Sequence, residues 1–153
     1  MLVIAIVVIL AAITVPIESG ILTKQSLSES TENIQTALRS ASLKAKIGSY
    51  QSAAGVYFGQ NVDKTPLITS YRGDSFESRK TDLDEEITIP KNVEVIVDPL
   101  SQDVHFSMLT GTVARDIIIK VKNSAGEKNI RVTTAGTVIV EPTVAVDAKD
   151  EKK

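Results

Sequence analysis

The chain opens on an unbroken apolar run, and no other feature limits so strongly what the protein can be. Residues 1–13 read MLVIAIVVILAAI, with no charged or polar side chain, and Thr14, Val15 and Pro16 follow. Such a segment cannot stay in water, because exposing apolar surface costs ~25 cal/mol per Å². It must lie in a bilayer or pack against copies of itself.

The length of the run leaves several roles open. Sixteen helical residues span roughly 24 Å, a little less than the ~30 Å hydrocarbon core of a bilayer. A secretory signal peptide would have a basic start and a small-residue cleavage site, and no Lys or Arg precedes the run. A signal peptide, a single-span anchor and a third role that the following residues favour are the three alternatives.

Composition restricts the rest of the chain. The 153 residues carry a net charge of −2, with few aromatic residues and no Trp. About 100 residues follow the helical part, enough for one small domain, and its core must be built from Val, Ile and Leu. The absence of Cys excludes disulfides, zinc ribbons and thiol nucleophiles. The charge balance lacks the Lys and Arg excess of nucleic-acid-binding proteins.

Residues 18–48 have the spacing of an amphipathic helix. Apolar side chains recur at intervals of seven, four, three and four residues, which places them on one helix face. They are Leu27, Ile34, Leu38, Ala41 and Ala45. Gly48 is the predicted stop. Pro16 removes one helical hydrogen bond, so we expect a continuous helix with a kink there. The alternative is a helix that ends near Thr14 and restarts near Ile21.

This order of parts resembles a known family. The segment VIAIVVILAAITVP (Val3–Pro16) is similar to the N-terminal helix of type IV pilins and of the pseudopilins of type II secretion. The resemblance implies that a prepilin peptidase removes a short basic leader, and that the apolar half-helix first spans the inner membrane and later packs in a filament core. It assigns these contacts to Val3, Ile4, Ile6, Val7, Ile9, Leu10, Ile13 and Pro16.

The start of the chain departs from the family pattern. In the family the apolar run begins several residues earlier and includes a Glu shortly after the cleavage point. Aligned at Pro16, that Glu would precede Met1. We therefore expect Met1 to be a truncated or misassigned start. The alternative is a subunit without a leader, which could not be processed.

After Gly48 the apolar residues alternate, which predicts β-strands. Strands are expected around Val56–Phe58, Leu67–Tyr71, Val93–Val97, Val104–Met108, Ile117–Val121, Ile130–Val132 and Val138–Val140. Asn123–Gly126 and Ala135–Gly136 are predicted turns, so the last three strands form a meander of two tight hairpins. Residues 72–86 are charged and weakly patterned, which indicates a loop or an edge strand.

The β-rich part extends the resemblance. The segments VHFSMLTG, IIIKV and NIRV, between Val104 and Val140, are similar to the C-terminal half of H-type minor pseudopilins and FimT-like minor pilins, and YFG (Tyr57–Gly59) fits the first strand. The implied fold is α+β, with a long N-terminal helix packed on an antiparallel β-sheet domain. The predicted organisation is a membrane or filament-core half-helix (1–17), an amphipathic half-helix (18–48), the β-rich domain (49–141) and a disordered charged tail (142–153).

The sequence contains few candidates for catalysis or metal binding. His105 is the one histidine, and no signature places a nucleophile and an acid beside it, so we expect no enzyme. Asp82, Asp84 and Glu86 are calcium candidates, because hard cations prefer several oxygen ligands in one loop. They lack the order of an EF-hand, and a solvated loop is the favoured interpretation. No cofactor is expected.

Basic residues do not indicate a nucleic-acid interface. FimT-like proteins of some systems bind DNA through a basic surface, but Arg72, Arg79 and Lys80 are interleaved here with Asp74 and Glu77. DNA is therefore not an expected partner.

The predicted function is structural: a minor pilin or pseudopilin subunit. The resemblance implies as partners other pilin or pseudopilin subunits, inner-membrane lipid, an assembly platform and the prepilin peptidase. It places the domain outside the cytoplasm, first on a membrane anchor and then in a periplasmic or extracellular filament. Two alternatives remain: the main repeating subunit of a filament, and a membrane-tethered binding module that never polymerises.

Overall fold

One long helix precedes all the strands of this protein. The computed structural model describes residues 2–98 and 101–141, with side chains from residue 20 onward. Helix α1 (Leu2–Lys46) runs unbroken past Pro16, so of the two sequence-based alternatives the continuous helix is correct. It ends at the predicted glycine: the N–H of Gly48 donates to the carbonyl of Ala45 at 3.0 Å, and the φ of Gly48 is 60°. Only a residue without a Cβ adopts this left-handed conformation at no cost.

Eight strands follow, divided between two antiparallel sheets. In chain order they are β1 (Ala54–Gln60), β2 (Pro66–Arg72), β3 (Glu85–Thr88), β4 (Glu94–Asp98), β5 (Asp103–Phe106), β6 (Ile117–Asn123), β7 (Gly126–Val132) and β8 (Val138–Glu141). The first sheet has the order β3-β2-β1-β5 and the second β4-β6-β7-β8. The chain therefore enters the second sheet at β4, returns to the first at β5, and leaves it again at β6.

Each strand pair has a defined antiparallel register. Val56 lies opposite Ser70 in the β1–β2 pair, and Ile119 lies opposite Ile130 in the β6–β7 pair. The predicted meander of β6, β7 and β8 is present. Asn123 shapes its first turn, because its side-chain oxygen accepts the N–H of Ala125 at 2.8 Å.

The hydrophobic core lies between α1 and the inner faces of both sheets. Helix α1 and every strand except the short edge strand β3 place at least one apolar side chain there that is less than a tenth exposed. The largest fully enclosed apolar residues include Ile34, Leu38, Ile68, Val104, Phe106, Ile119 and Ile130. As predicted, this core is almost entirely aliphatic.

The structure corrects one strand and refines another. Strand β5 stops at Phe106, and Met108 and Leu109 are 41% and 67% exposed instead of alternating in a strand. Leu109 donates its N–H to the carbonyl of Ala45 at 2.8 Å, which draws the chain away from the sheet toward the helix end. The segment predicted as loop or edge strand is a loop that leads into β3, an edge strand. The predicted tail at 142–153 lies outside the described residues.

Candidate functional site: the two sides of the helix

One side of α1 faces the sheets. Leu27, Ile34, Leu38, Ala41 and Ala45 are each at most 5% exposed. Small polar residues that periodicity did not single out are buried beside them. The Thr31 hydroxyl donates to the Leu27 carbonyl at 2.7 Å, and the Ser42 hydroxyl donates to the Gly136 carbonyl at 3.0 Å. Satisfied hydroxyls can be buried at little cost.

The Ser42 contact lies where the helix and the turn before β8 come close together. A Cβ built on Gly136 would lie 1.8 Å from the carbonyl oxygen of Gly111, so the turn before β8 passes close to its neighbours. Arg39 also donates to the carbonyl of Val138 at 3.3 Å. The helix is thereby fixed against the end of the meander.

The opposite side of α1 is uncovered. We call it the exposed stripe, because its members recur at helical spacing along one line and all are exposed: Ile21, Leu22, Gln25, Glu29, Glu32, Thr36, Leu43 and Ile47. The stripe is apolar at both ends and polar in the middle. Ile21, Leu22, Leu43 and Ile47 are 59–67% exposed.

The predicted membrane and filament residues lie earlier in the helix. Val3, Ile4, Ile6, Val7, Ile9, Leu10, Ile13 and Pro16 are helical in backbone, and their side chains lie outside the described part. Among residues with described side chains, no helix is long and apolar enough to cross a bilayer.

The three calcium candidates differ in their surroundings. Asp82 is exposed in a short 3₁₀ helix (Thr81–Leu83), and Glu86 is exposed on β3. Asp84 accepts a hydrogen bond from Arg79 at 2.7 Å in an ion pair. Across the described residues, no three Asp, Glu or His side chains converge on a point where they could hold a metal ion.

The basic residues of this region are also engaged locally. The Arg79 guanidinium lies 3.8 Å from the centre of the Phe76 ring, and that of Arg72 lies 4.7 Å from the centre of the Tyr50 ring. Arg72 is itself buried. These arginines therefore serve local packing.

A polar cluster that the sequence did not reveal lies on the outer face of the first sheet. The Tyr71 hydroxyl donates to the carboxylate of Asp103, with distances of 2.7 and 2.9 Å to its two oxygens. The backbone N–H of Phe76 lies close enough to the same carboxylate to lower its pKa. Phe76 stacks on Tyr57, with ring centres 3.7 Å apart. The cluster holds the loop between β2 and β3 against the sheet.

Burial sets the protonation of this pair. It raises the pKa of Tyr71, and the adjacent Asp103 carboxylate adds to the shift. Burial also raises the pKa of Asp103, although the hydrogen bond from Tyr71 and the nearby His105 act in the opposite direction. His105 lies opposite Gly55 in the β1–β5 register, and its enclosed Nε2 has no hydrogen-bond partner among the described residues.

Comparison with known proteins identifies the fold. No protein-family model and no curated protein matches the sequence. The structure is similar to the crystal structure of the type IV minor pilin FimU of Pseudomonas aeruginosa, with a TM-score of 0.62 and 15% identity. The likeness covers 78% of this chain and 90% of that one. The predicted α+β, pilin-like fold is therefore confirmed.

Proposed function

We propose that the chain is a minor pilin-like or pseudopilin-like structural subunit, held in the inner membrane by its N-terminal half-helix and assembled through it into a type IV filament or a type II secretion pseudopilus. The observation that carries the proposal is the continuity of α1. A single helix begins in the apolar run and ends on two sheets, and the overall fold is that of a minor pilin.

The energetics favour a packing role. Inside a bilayer the apolar half-helix has already left water, so moving it into a bundle gains little hydrophobic energy. Assembly must then rest on close helix contacts and polar pairing. A helix packed on its own domain suits this task, because the β-rich domain then sets the direction in which the apolar half-helix projects.

The partners follow from this role. They are other pilin or pseudopilin subunits, lipid before assembly, an assembly platform and a prepilin peptidase. The domain would lie outside the cytoplasm and become part of a periplasmic or extracellular filament. The subunit performs no catalysis in this proposal, and cellular copy number would separate a minor subunit from the main repeating subunit of a filament.

Cysteine cross-linking tests the proposal directly, because the chain has no native cysteine. Single substitutions Val3→Cys, Ile6→Cys, Ile9→Cys and Ile13→Cys are compared in cells with and without the assembly ATPase. We expect cross-linked dimers that require the ATPase. Val62→Cys is the control, since Val62 is fully exposed in the β1–β2 turn. Equal cross-linking in both strains would remove filament assembly from consideration.

A further inference from the structure

The C-terminal end of α1 carries an exposed apolar surface, which we call the helix-end patch. Its members come from the last helical turns, the following turn and the β5–β6 loop, and all are 41–67% exposed: Leu43, Ile47, Tyr50, Met108 and Leu109. Large exposed apolar side chains grouped at one end of a structural element are typical of interaction surfaces.

Two residues of the patch, and one neighbour, have a left-handed backbone conformation. Tyr50, Gln51 and Leu109 have φ angles of 59°, 52° and 67°, and they are three of the four non-glycine residues with positive φ in the described ranges 2–98 and 101–141. Bulky residues adopt this region at an energetic cost that surrounding contacts must sustain, and such residues concentrate at functional sites.

Cations border the patch. The stem of Lys46 lies against Gly111, and the guanidinium of Arg72 covers the Tyr50 ring. Lys46 is exposed and has no ion pair within the described residues. Two identical patches placed face to face would bring Lys46 against Lys46, which disfavours a symmetric contact.

A complementary surface exists at the other end of the exposed stripe. Ile21 and Leu22 are apolar and exposed, and Glu29 and Glu32 follow on the same line. Both carboxylates are exposed without an ion pair in the described part of the chain. Ile21 and Ile47 are about 39 Å apart along the helix at ~1.5 Å per residue, so the two surfaces cannot meet within one copy.

We propose that the helix-end patch of one copy packs on the Ile21–Glu32 face of a second copy, with Lys46 facing Glu29 and Glu32. The occupant is chosen by charge. The patch is apolar with a cation, and this face is apolar with two carboxylates, and none of the three charges has an ion pair among the described residues. Glu32 accepts one hydrogen bond, from the Ser28 hydroxyl at 3.4 Å. Because the two surfaces differ, each copy in such a contact keeps one surface of each kind for a further copy, and the assembly is an open chain unless its rotation closes a ring. The inference deepens the proposed function and rests on it.

Mixed-cysteine cross-linking of the full chain in detergent micelles tests the contact. Ile47→Cys protein is mixed with Leu22→Cys protein, and the matched control replaces Leu22→Cys with Val62→Cys. We expect the 47–22 cross-link to form well above the control. Lys46→Glu should weaken it roughly two- to fivefold, the range of an exposed ion pair, and Glu29→Lys with Glu32→Lys in the Leu22→Cys partner should restore it. Circular dichroism confirms that each variant is folded.

A parallel sample with Ile9→Cys separates the two proposals. Ile9 cross-links without 47–22 cross-links would overturn the helix-end contact and leave the filament role standing. The 47–22 cross-link without Ile9 cross-links would support the contact and speak against assembly through the apolar half-helix. Failure of both overturns both proposals, and a 47–22 cross-link indifferent to Lys46→Glu overturns the charge pairing.

Discussion

Single residues on the outer face of the first sheet are fixed by contacts distant in sequence. Tyr71 on β2 reaches across Gly55 on β1 to Asp103 on β5. A Cβ on Gly55 would lie 2.4 Å from the Tyr71 hydroxyl and from the ring carbon that carries it. The glycine is therefore required for space: any side chain there would displace the hydroxyl that holds Asp103.

We expect Gly55→Ala to lower the free energy of unfolding by about 1–3 kcal/mol, the cost of forcing a methyl group into packed space. Gly20→Ala is the matched control. Nothing lies within 4 Å of a Cβ on Gly20, and removing a glycine from a helix stabilises it by roughly 0.5–1 kcal/mol. Urea unfolding of both variants checks the prediction, and equal effects would contradict it.

The raised pKa of Tyr71 predicts a loss of stability in alkali. Unfolded tyrosine titrates near pH 10, whereas the buried Tyr71 keeps its proton to higher pH. Above about pH 10 the folded state therefore binds more protons than the unfolded chain, and stability falls as pH rises. We expect the melting temperature of the native protein to fall more between pH 8 and pH 11 than that of Tyr71→Phe.

Tyr50→Phe is the control for this measurement, because Tyr50 is 62% exposed and its loss should leave the alkaline decline in place. The same alkaline slope in the native protein and in Tyr71→Phe would show that Tyr71 is not the group responsible.

The pKa of Asp103 is also raised by burial. The contribution of Asp103 to stability is therefore complete below the unfolded value near 3.9 and diminishes as pH rises through its folded pKa.

At the scale of elements, α1 is a rod with one buried side and one uncovered side. Burial of Ile34, Leu38 and Ala41 fixes the helix on both sheets, while the exposed stripe contributes little to folding. Two leucines five residues apart therefore have different roles: Leu38 is completely buried and Leu43 is 60% exposed.

Leu38→Ala should destabilise the protein by about 2–5 kcal/mol, because it leaves a cavity in the core. Leu43→Ala should change the free energy of unfolding by no more than ~0.5 kcal/mol, yet reduce the cross-link between copies. Chemical denaturation gives the first quantity and cross-linking the second. A large loss of stability in Leu43→Ala would show that the helix-end patch serves folding.

Sequence periodicity predicted the helix face well and the sheets only in part. Leu27 to Ala45 could be read from spacing, because a helix turns by a constant angle per residue and a single buried side leaves a regular trace. Ser30, Thr31 and Ser42 are buried on the same side. Because these side chains carry hydroxyl groups, a hydropathy pattern does not identify them as buried. The end of β5 was misplaced because Leu109 is drawn toward the helix by a hydrogen bond to Ala45, a contact that alternation does not encode.

At the scale of the whole molecule, the proposed function assigns folding and assembly through the apolar half-helix to separate parts of the chain. The buried apolar core among the described residues extends from Leu27 to Val138. The fragment 20–153 contains all of it. We expect this fragment to unfold cooperatively, with a melting temperature within about 4 °C of the full chain, equivalent to a change of ~1 kcal/mol or less.

The fragment 35–153 is the control, since it lacks Leu27 and Ile34 and should lose cooperative unfolding. Calorimetry of both fragments makes the comparison. If fragment 20–153 fails to fold while the full chain folds, the apolar half-helix takes part in folding, and the separation of roles is wrong.

The sequence by itself determined the apolar run, the length of the helix, its buried side and the hairpins of the final meander. Each of these depends on residues close together in the chain, whose spacing records the angle per residue or the alternation of a strand. Only the tertiary structure decided that the strands form two sheets, that β4 joins the second sheet before β5 returns to the first, and that Tyr71 contacts Asp103. Those features depend on pairs such as Ala54 and Phe106, and one strand's pattern of burial does not specify which distant strand lies beside it.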